Sequence, residues 1–171
     1  MRKLKLEELG RLSVEDYQKV AKVPVVVVLD NIRSAMNVGS VFRTADAFAI
    51  EKIVISGISA TPPNREITKT AIGATESVLW EYVKDISEAL VFLKAGGYTI
   101  VGIEQTDHSI KLGSPLPKSE KIAVVFGNEV EGISDIILEQ LDYCIEIPQY
   151  GTKHSLNVSV CAGIVLWELT K

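Results

Sequence analysis

Cysteine, histidine and aromatic residues are scarce in this 171-residue chain, which holds two Cys, two His and 6% Phe, Trp and Tyr. Cys144 and Cys161 lie in apolar patterns without C-x-x-C spacing or a nearby histidine cluster, which disfavours a disulfide framework and a zinc site. Buried free thiols are the expectation. No H-E-x-x-H or other paired-histidine spacing occurs, so no metal is expected. G-x-S-x-G is missing, which removes the nucleophile elbow of the Ser-His-Asp hydrolases. Long apolar runs are missing too. The longest, 23–29 and 158–167, fall short of the roughly 18 to 20 residues of a membrane helix. The start, MRKLKLEELGRLS, lacks the apolar stretch of a signal peptide. No membrane association and a cytoplasmic location are therefore expected. Nor is there an excess of positive charge. The net charge is −4, unlike a broad basic surface for nonspecific nucleic-acid binding, so any such binding must be local.

What is present is a core-forming composition, 47% hydrophobic and 23% charged, which fits one domain over residues 1–171 with a short N-terminal extension, 1–24. The extension carries Arg2, Lys3, Lys5, Arg11, Lys19 and Lys22 against Glu7, Glu8, Glu15 and Asp16. It is thus +2, and the remainder of a chain totalling −4 is −6. The run VVVVL at 25–29 is β-branched and uninterrupted, the pattern of a strand covered on both faces. Further strands are expected at 53–55, 79–83, 98–103, 122–126 and 143–147. Helical patterns lie around 38–49, 86–94 and 133–140, and the stretches 56–65 and 109–121 read as surface connections. The alternation implies an α/β fold, a mostly parallel sheet with helices on both faces. Polar residues and glycines gather after four strands: Asp30-Asn31, Glu104-Gln105-Thr106, Gly127-Asn128-Glu129 and Pro148-Gln149-Tyr150-Gly151. Ligands bind beyond the carboxyl ends of strands in such sheets, so the four clusters are expected to converge on one pocket.

Three constellations carry chemistry. In DNIRSAMNVGSVFRTADAF, Asn37 opens a helix with an apolar stripe through Val38, Val41, Phe42, Ala45 and Phe48. Read alone, this is an Asn cap with an Arg43–Asp46 surface pair. In AVVFGNEVEGIS, a strand leads into Gly127-x-Glu129-x-x-Gly132. Ile133-Ser134 stands where a Walker loop needs Lys-Ser/Thr, G-x-G-x-x-G is absent, and Glu129 and Glu131 would repel a phosphate. The loop is either a tight capped turn or a seat for a neutral or cationic ligand, such as an adenosine moiety carrying a sulfonium or an amine. In IPQYGTKHSLNVSVCAGIVLWEL, a strand end and a polar loop precede Ser155-Leu156-Asn157, where Ser155 is a candidate cap. The helix beyond is apolar on nearly every side. A terminal helix has core on one side only, so its other side implies a second subunit, a homodimer through the C-terminal helix. His154 reads as a solvated loop residue or a substrate contact.

Taken in order, Asn37-x5-Arg43, Gly127-x-Glu129-x-x-Gly132, and Ile147-Pro148 through Ser155-Leu156-Asn157-Val158 resemble the three motifs of the SpoU (TrmH) family of the SPOUT superfamily. The resemblance runs from about Val25 to Leu169. It implies a C-terminal trefoil knot, which general rules of chain topology would exclude, and an S-adenosylmethionine-dependent RNA ribose 2′-O-methyltransferase acting on tRNA or rRNA, with S-adenosylhomocysteine as product. By the same resemblance Arg43, Asn37, Ser155 and Asn157 form the catalytic set. Arg43 grips a phosphate and polarises or deprotonates the ribose hydroxyl, and the other three orient ribose and arginine. The cofactor is expected among Glu104, Gln105 and Thr106, then Phe126, Gly127, Asn128, Glu129 and Gly132, then Ile147, Gln149, Ser155 and Leu156. The basic extension with Arg33, Arg43, Arg65, Lys69 and Lys153 supplies candidate RNA phosphate contacts. Family dimers place the terminal helix at the subunit interface, in agreement with the hydrophobic pattern. Two other classes compete. One is a non-catalytic RNA-binding protein of the same fold, against which the presence of Arg43, Asn37 and Asn157 counts. The other is a Rossmann-type nucleotide-dependent oxidoreductase, against which the missing dinucleotide glycines count.

Overall fold

Four consecutive valines and a leucine leave a strand no polar face, and the chain covers both. A computed structural model describes residues 1–171, the side chain of Leu6 apart. In it β1 (Val23–Asp30) is an interior strand of a seven-stranded sheet. Val25, Val27 and Leu29 belong to the core on one side of this sheet, and Val26 and Val28 to the core on the other. The remaining strands are β2 (Ile50–Ser56), β3 (Leu79–Val83), β4 (Thr99–Ile103), β5 (Ile110–Lys111), β6 (Ile122–Phe126) and β7 (Tyr143–Glu146). Their order is β3-β2-β1-β6-β4-β7-β5, and every pairing is parallel. Val27 faces Ile53 of β2 and Val124 of β6 across the ladder.

Helices lie on both faces, as the βαβ alternation implies. On one side are α2 (Ala35–Ala47), α3 (Arg65–Ala71), α4 (Ala74–Ser77) and α7 (Val158–Leu169); on the other are α5 (Ile86–Ala95) and α6 (Asp135–Leu138). The apolar stripe Val38, Val41, Phe42 and Ala45 turns α2 onto the first core, and Ile86, Ala89, Leu90 and Leu93 turn α5 onto the second. A short helix α1 (Val14–Lys19), capped by Ser13, buries Tyr17 and lies against α4. Two expectations change. The connection 109–121 holds strand β5, which adds to β7 at the sheet edge. The helix expected over 133–140 shrinks to the four residues of α6, with Ser134 at its N-cap position and Gly132 just before it in a left-handed turn.

Candidate functional site

All strands run one way, so their carboxyl ends share one edge of the sheet. Strands β6, β4 and β7 are neighbours there, and the loops leaving them enclose a cavity of about 620 Å³. Every residue expected around a cofactor lines it: Glu104, Gln105 and Thr106 after β4; Phe126, Gly127, Asn128, Glu129 and Gly132 after β6; Ile147, Gln149, Ser155 and Leu156 after β7. Ile103 and Ile145, the inward residues at the ends of β4 and β7, line it too, with Ile133 and Cys161. These four belong to core patterns and carry no polar signal that would set them apart in a sequence. Burial, with Glu104 nearby, pushes the Cys161 thiol up to about 11, so it meets the cavity as a neutral group. Of the four polar clusters expected to converge, Asp30-Asn31 stays outside; it joins the wall indirectly, where Asn128 Nδ2 donates to the Asn31 carbonyl at 2.8 Å.

The loop after β6 is closed by backbone. Asn128 and Gly132 exchange two hydrogen bonds of 3.1 and 2.9 Å, and the Asn128 side chain accepts from the N–H groups of Val130 and Glu131. A Cβ on Gly127 would lie 2.4 Å from the Gly132 carbonyl carbon, so only glycine permits this approach. Gly132 has φ +69°, and a Cβ there would lie 2.3 Å from Glu104 Oε2. That carboxylate is pinned by the N–H groups of Gln105 (2.8 Å) and Ile133 (3.1 Å). Bare backbone, apolar side chains and a fixed carboxylate suit a ligand with an adenosine-like body and a positive centre, and hold no cluster of cations for a polyphosphate.

Glu129, which lines the cavity, engages its carboxylate with the start of α2. It accepts from the N–H groups of Arg33 (2.8 Å) and Ser34 (3.1 Å), and from Asn37 Nδ2 (3.0 Å), at the start of α2. Burial pushes its pKa up, but the Arg33, Asn37, Ser34 and own-backbone hydrogen bonds outweigh this and hold it below the ordinary value. Asn37 Oδ1 in turn accepts from Asn157 Nδ2 at 3.1 Å. Asn157 Oδ1 accepts from Ser159 N (2.9 Å), Ser159 Oγ (2.7 Å) and Val160 N (3.3 Å), which caps α7. The backbone donors at α7 fix the Asn157 amide, which fixes Asn37, which aims its amide donor at Glu129. Two cap assignments are thereby corrected. Ser34, not Asn37, caps α2, and Asn157, not Ser155, caps α7. Ser155 lies two residues ahead of that cap and lines the cavity instead.

Arg43 is not brought to this cavity within one chain. It lies six positions beyond Asn37 on α2, about 9 Å along the axis and about a third of a turn away around it. It lines a different depression, shared with Arg11, Tyr17 and Asp46. The expected Arg43–Asp46 surface pair does not form among the described residues; Asp46 accepts instead from Ser77 Oγ at 2.5 Å. Of the other candidate RNA contacts, Arg33 is exposed between β1 and α2, Arg65 opens α3, Lys69 lies in its last turn, and Lys153 is exposed in the loop after β7. None of the five is ion-paired among the described residues. In the N-terminal extension, Arg2 is paired with Glu8 and Lys19 with Glu15, which removes part of its basic character. No group of three His, Cys, Asp or Glu side chains converges among the described residues, and no described helix is long and apolar enough to cross a membrane.

Comparison with known proteins adds an independent line. A family model described as "SpoU rRNA Methylase family" matches residues 24–167. The chain is 34% identical over 160 residues to a 23S rRNA (guanosine-2′-O-)-methyltransferase of Neisseria meningitidis, which covers 93% of this chain and 63% of that protein. It is 33% identical over 168 residues to the mouse tRNA (guanosine(18)-2′-O)-methyltransferase, with 94% and 10% covered. Among solved structures it superposes on the TrmH/SpoU tRNA modifying enzyme of A. aeolicus with a TM-score of 0.80 and 28% identity, covering 92% of this chain and 80% of that one. The AdoMet-bound rRNA methyltransferase of Sinorhizobium meliloti shares the fold, with a TM-score of 0.80 at 24% identity, 90% and 59% being covered. The chain thus spans 63% and 59% of the first two curated relatives.

Proposed function

The chain belongs to the SpoU rRNA methylase family, and from that membership and the geometry of the cavity we propose that it is an S-adenosylmethionine-dependent RNA ribose 2′-O-methyltransferase acting on tRNA or rRNA. The observation that carries this reading is the convergence of all twelve expected cofactor residues on one cavity at the ends of β4, β6 and β7. S-adenosylmethionine supplies a methyl group already activated on a sulfonium. The protein's task is then alignment with the ribose hydroxyl and help with removing a proton from a very weak acid. Phe126, Ile103 and Leu156 offer apolar walls for the cofactor; Thr106, Gln149, Ser155 and neighbouring backbone offer polar contacts. The Glu129–Asn37–Asn157 chain positions the starts of α2 and α7 against each other at the cavity mouth.

An arginine with a pKa of about 13.8 is a poor free base at neutral pH. Arg43 is therefore read as gripping an RNA phosphate and polarising the 2′-hydroxyl. Because Arg43 does not line the cavity of its own chain, we read it as supplied by a second copy. Val160, Ile164 and Trp167 support that reading. They recur at i, i+4 and i+7 along α7 and leave 52%, 40% and 58% of their surface exposed, an apolar stripe of the kind a symmetric dimer covers. Homodimerisation through α7, a knotted C-terminal segment, action in the cytoplasm and a reaction without a metal belong to the same proposal. Should the chain act as a monomer, the placement of Arg43 favours the alternative, an RNA-binding module without catalysis.

Incubation with methyl-labelled S-adenosylmethionine and total RNA, followed by nuclease digestion and nucleoside analysis, tests the reading. A labelled 2′-O-methyl nucleoside is expected. Label in a base, or no transfer by the dimer, overturns it.

A further inference from the structure

The loop between β7 and α7 touches the cavity at its two ends and leaves it in the middle. Ile147 and Gln149 line the cavity on the way out, and His154, Ser155 and Leu156 line it on the way back. Residues 150–153 do not, and they are exposed. The return is tied down where Gln105 Nε2 donates to the His154 carbonyl at 2.9 Å. At the outer side of this arch stands Tyr150, with 96% of its surface exposed. It is the most exposed of the described aromatic side chains, and the fold draws nothing from it. Lys153 and His154 follow within four residues, with only Gly151 and Thr152 between them and Tyr150.

We propose that Tyr150 is a stacking platform for an unpaired base of the RNA substrate at the rim of the cavity, with Lys153 as the adjacent phosphate contact. This rests on the RNA methyltransferase reading above and deepens it. A cavity of about 620 Å³ is the size of one small-molecule ligand, so a cofactor fills it and the polymeric substrate has to lie across its rim. Single-stranded RNA is held by stacking splayed bases on aromatic rings, with cations nearby for the backbone. Tyr150 offers an open ring face, its hydroxyl is free to meet water, and the arch that carries it returns to the cavity at His154, where it is tied to Gln105.

The test compares the full chain with Tyr150→Ala and Tyr150→Trp in three assays: binding of fluorescein-labelled bulk transfer RNA and of an in vitro 23S ribosomal RNA transcript, binding of S-adenosylmethionine, and gel filtration. Methyl transfer by the unaltered chain is measured separately and decides the underlying reading whatever the variants do. Tyr150→Ala should weaken binding of at least one RNA by roughly five- to a hundredfold, Tyr150→Trp should retain it, and cofactor affinity and oligomeric state should stay as they are. An unchanged RNA affinity in Tyr150→Ala overturns the proposal. A loss of cofactor affinity or of the dimer overturns it as well, by assigning the ring to the cofactor or to a contact between copies.

Discussion

Asn157 donates from its side-chain amide to the side-chain oxygen of Asn37 at 3.1 Å, joining two helix starts that are 120 residues apart in the chain. Each asparagine has a second obligation. Asn157 caps α7, and Asn37 donates to the carboxylate of Glu129. The link and the cap can be separated by mutation. Asn157→Asp keeps an acceptor for the N–H groups of Ser159 and Val160 but loses the donor toward Asn37. Asn157→Ala loses both. Asn157→Ala should be destabilised by about 1 kcal/mol relative to Asn157→Asp in thermal or urea unfolding, while both should lose methyl transfer. Full activity in Asn157→Asp would show that the link has no part in the site.

Glu129 gives a pH signature. Despite burial, its hydrogen bonds to Arg33, Asn37 and Ser34 keep its folded pKa below the ordinary value of 4.5. A carboxyl depressed by folding contributes stability that is complete above its unfolded pKa and is lost as pH falls through the folded one. Glu129→Gln should therefore be less stable than the unaltered chain at neutral pH, by roughly 1 to 3 kcal/mol. The gap should close on acidification below 4.5. Urea unfolding of both proteins across that range measures it; a gap independent of pH would mean that the charge of Glu129 does not matter.

Gly132 and Glu104 should behave as one unit. An alanine at position 132 puts its Cβ 2.3 Å from Glu104 Oε2, at a φ of +69° that side chains resist. Relief comes only by pushing Glu104 off the Ile133 N–H. Gly132→Ala should lose cofactor affinity and stability. In the double variant Gly132→Ala/Glu104→Ala the clash is gone, leaving the backbone strain and the loss of the Glu104 acceptor for Gln105 and Ile133. Coupling between the two changes should be about 1 kcal/mol or more, read from a double-mutant cycle in urea unfolding. Simple additivity would show that the two groups do not press on each other.

Much of this was open to inspection in the sequence, for physical reasons that differ from one element to the next. VVVVL has no polar face and is β-branched, so a strand buried on both sides was the favoured way to keep its valines from water. The cavity residues were legible because glycines and polar groups sit directly after strands, where a parallel sheet collects them. The caps were not legible. Ser34 and Asn37, and again Ser155 and Asn157, are pairs of good capping residues two or three positions apart, and nothing local says which of each pair starts the helix. The partners of Glu129 lie 92 to 96 residues away, beyond any local pattern, so the tie it makes between segments has no signature in its own loop. For Arg43 the motif spacing does give the geometry, since six positions on a helix turn it a third of a turn from Asn37, but which copy's cavity that face meets is not a local property.

That separation makes a prediction in which cis and trans action give opposite results. If each cavity works with Arg43 of a second copy, Arg43→Ala and Glu104→Ala are each inactive alone but complement each other when mixed. A hybrid dimer then has one site with an intact cavity on one chain and an intact Arg43 on the other. After random reassortment half of the dimers are hybrids with one working site each, so about a quarter of the unaltered activity should return. If Arg43 serves the cavity of its own chain, every site in every hybrid lacks one of the two groups, and mixing restores nothing. Co-expression with two different affinity tags, purification of the doubly tagged hybrid and a methyl-transfer assay distinguish these cases. A third variant controls for the interface. Trp167 packs on Phe48 with ring centroids 5.8 Å apart, yet it is more than half exposed, so Trp167→Glu puts a charge on the apolar stripe of α7 without emptying the core. It should yield a folded monomer by gel filtration and circular dichroism, inactive on RNA because Arg43 of a second copy is missing. A monomer that still methylates RNA would place Arg43 in cis, against the arrangement in which α2 holds it apart from the cavity.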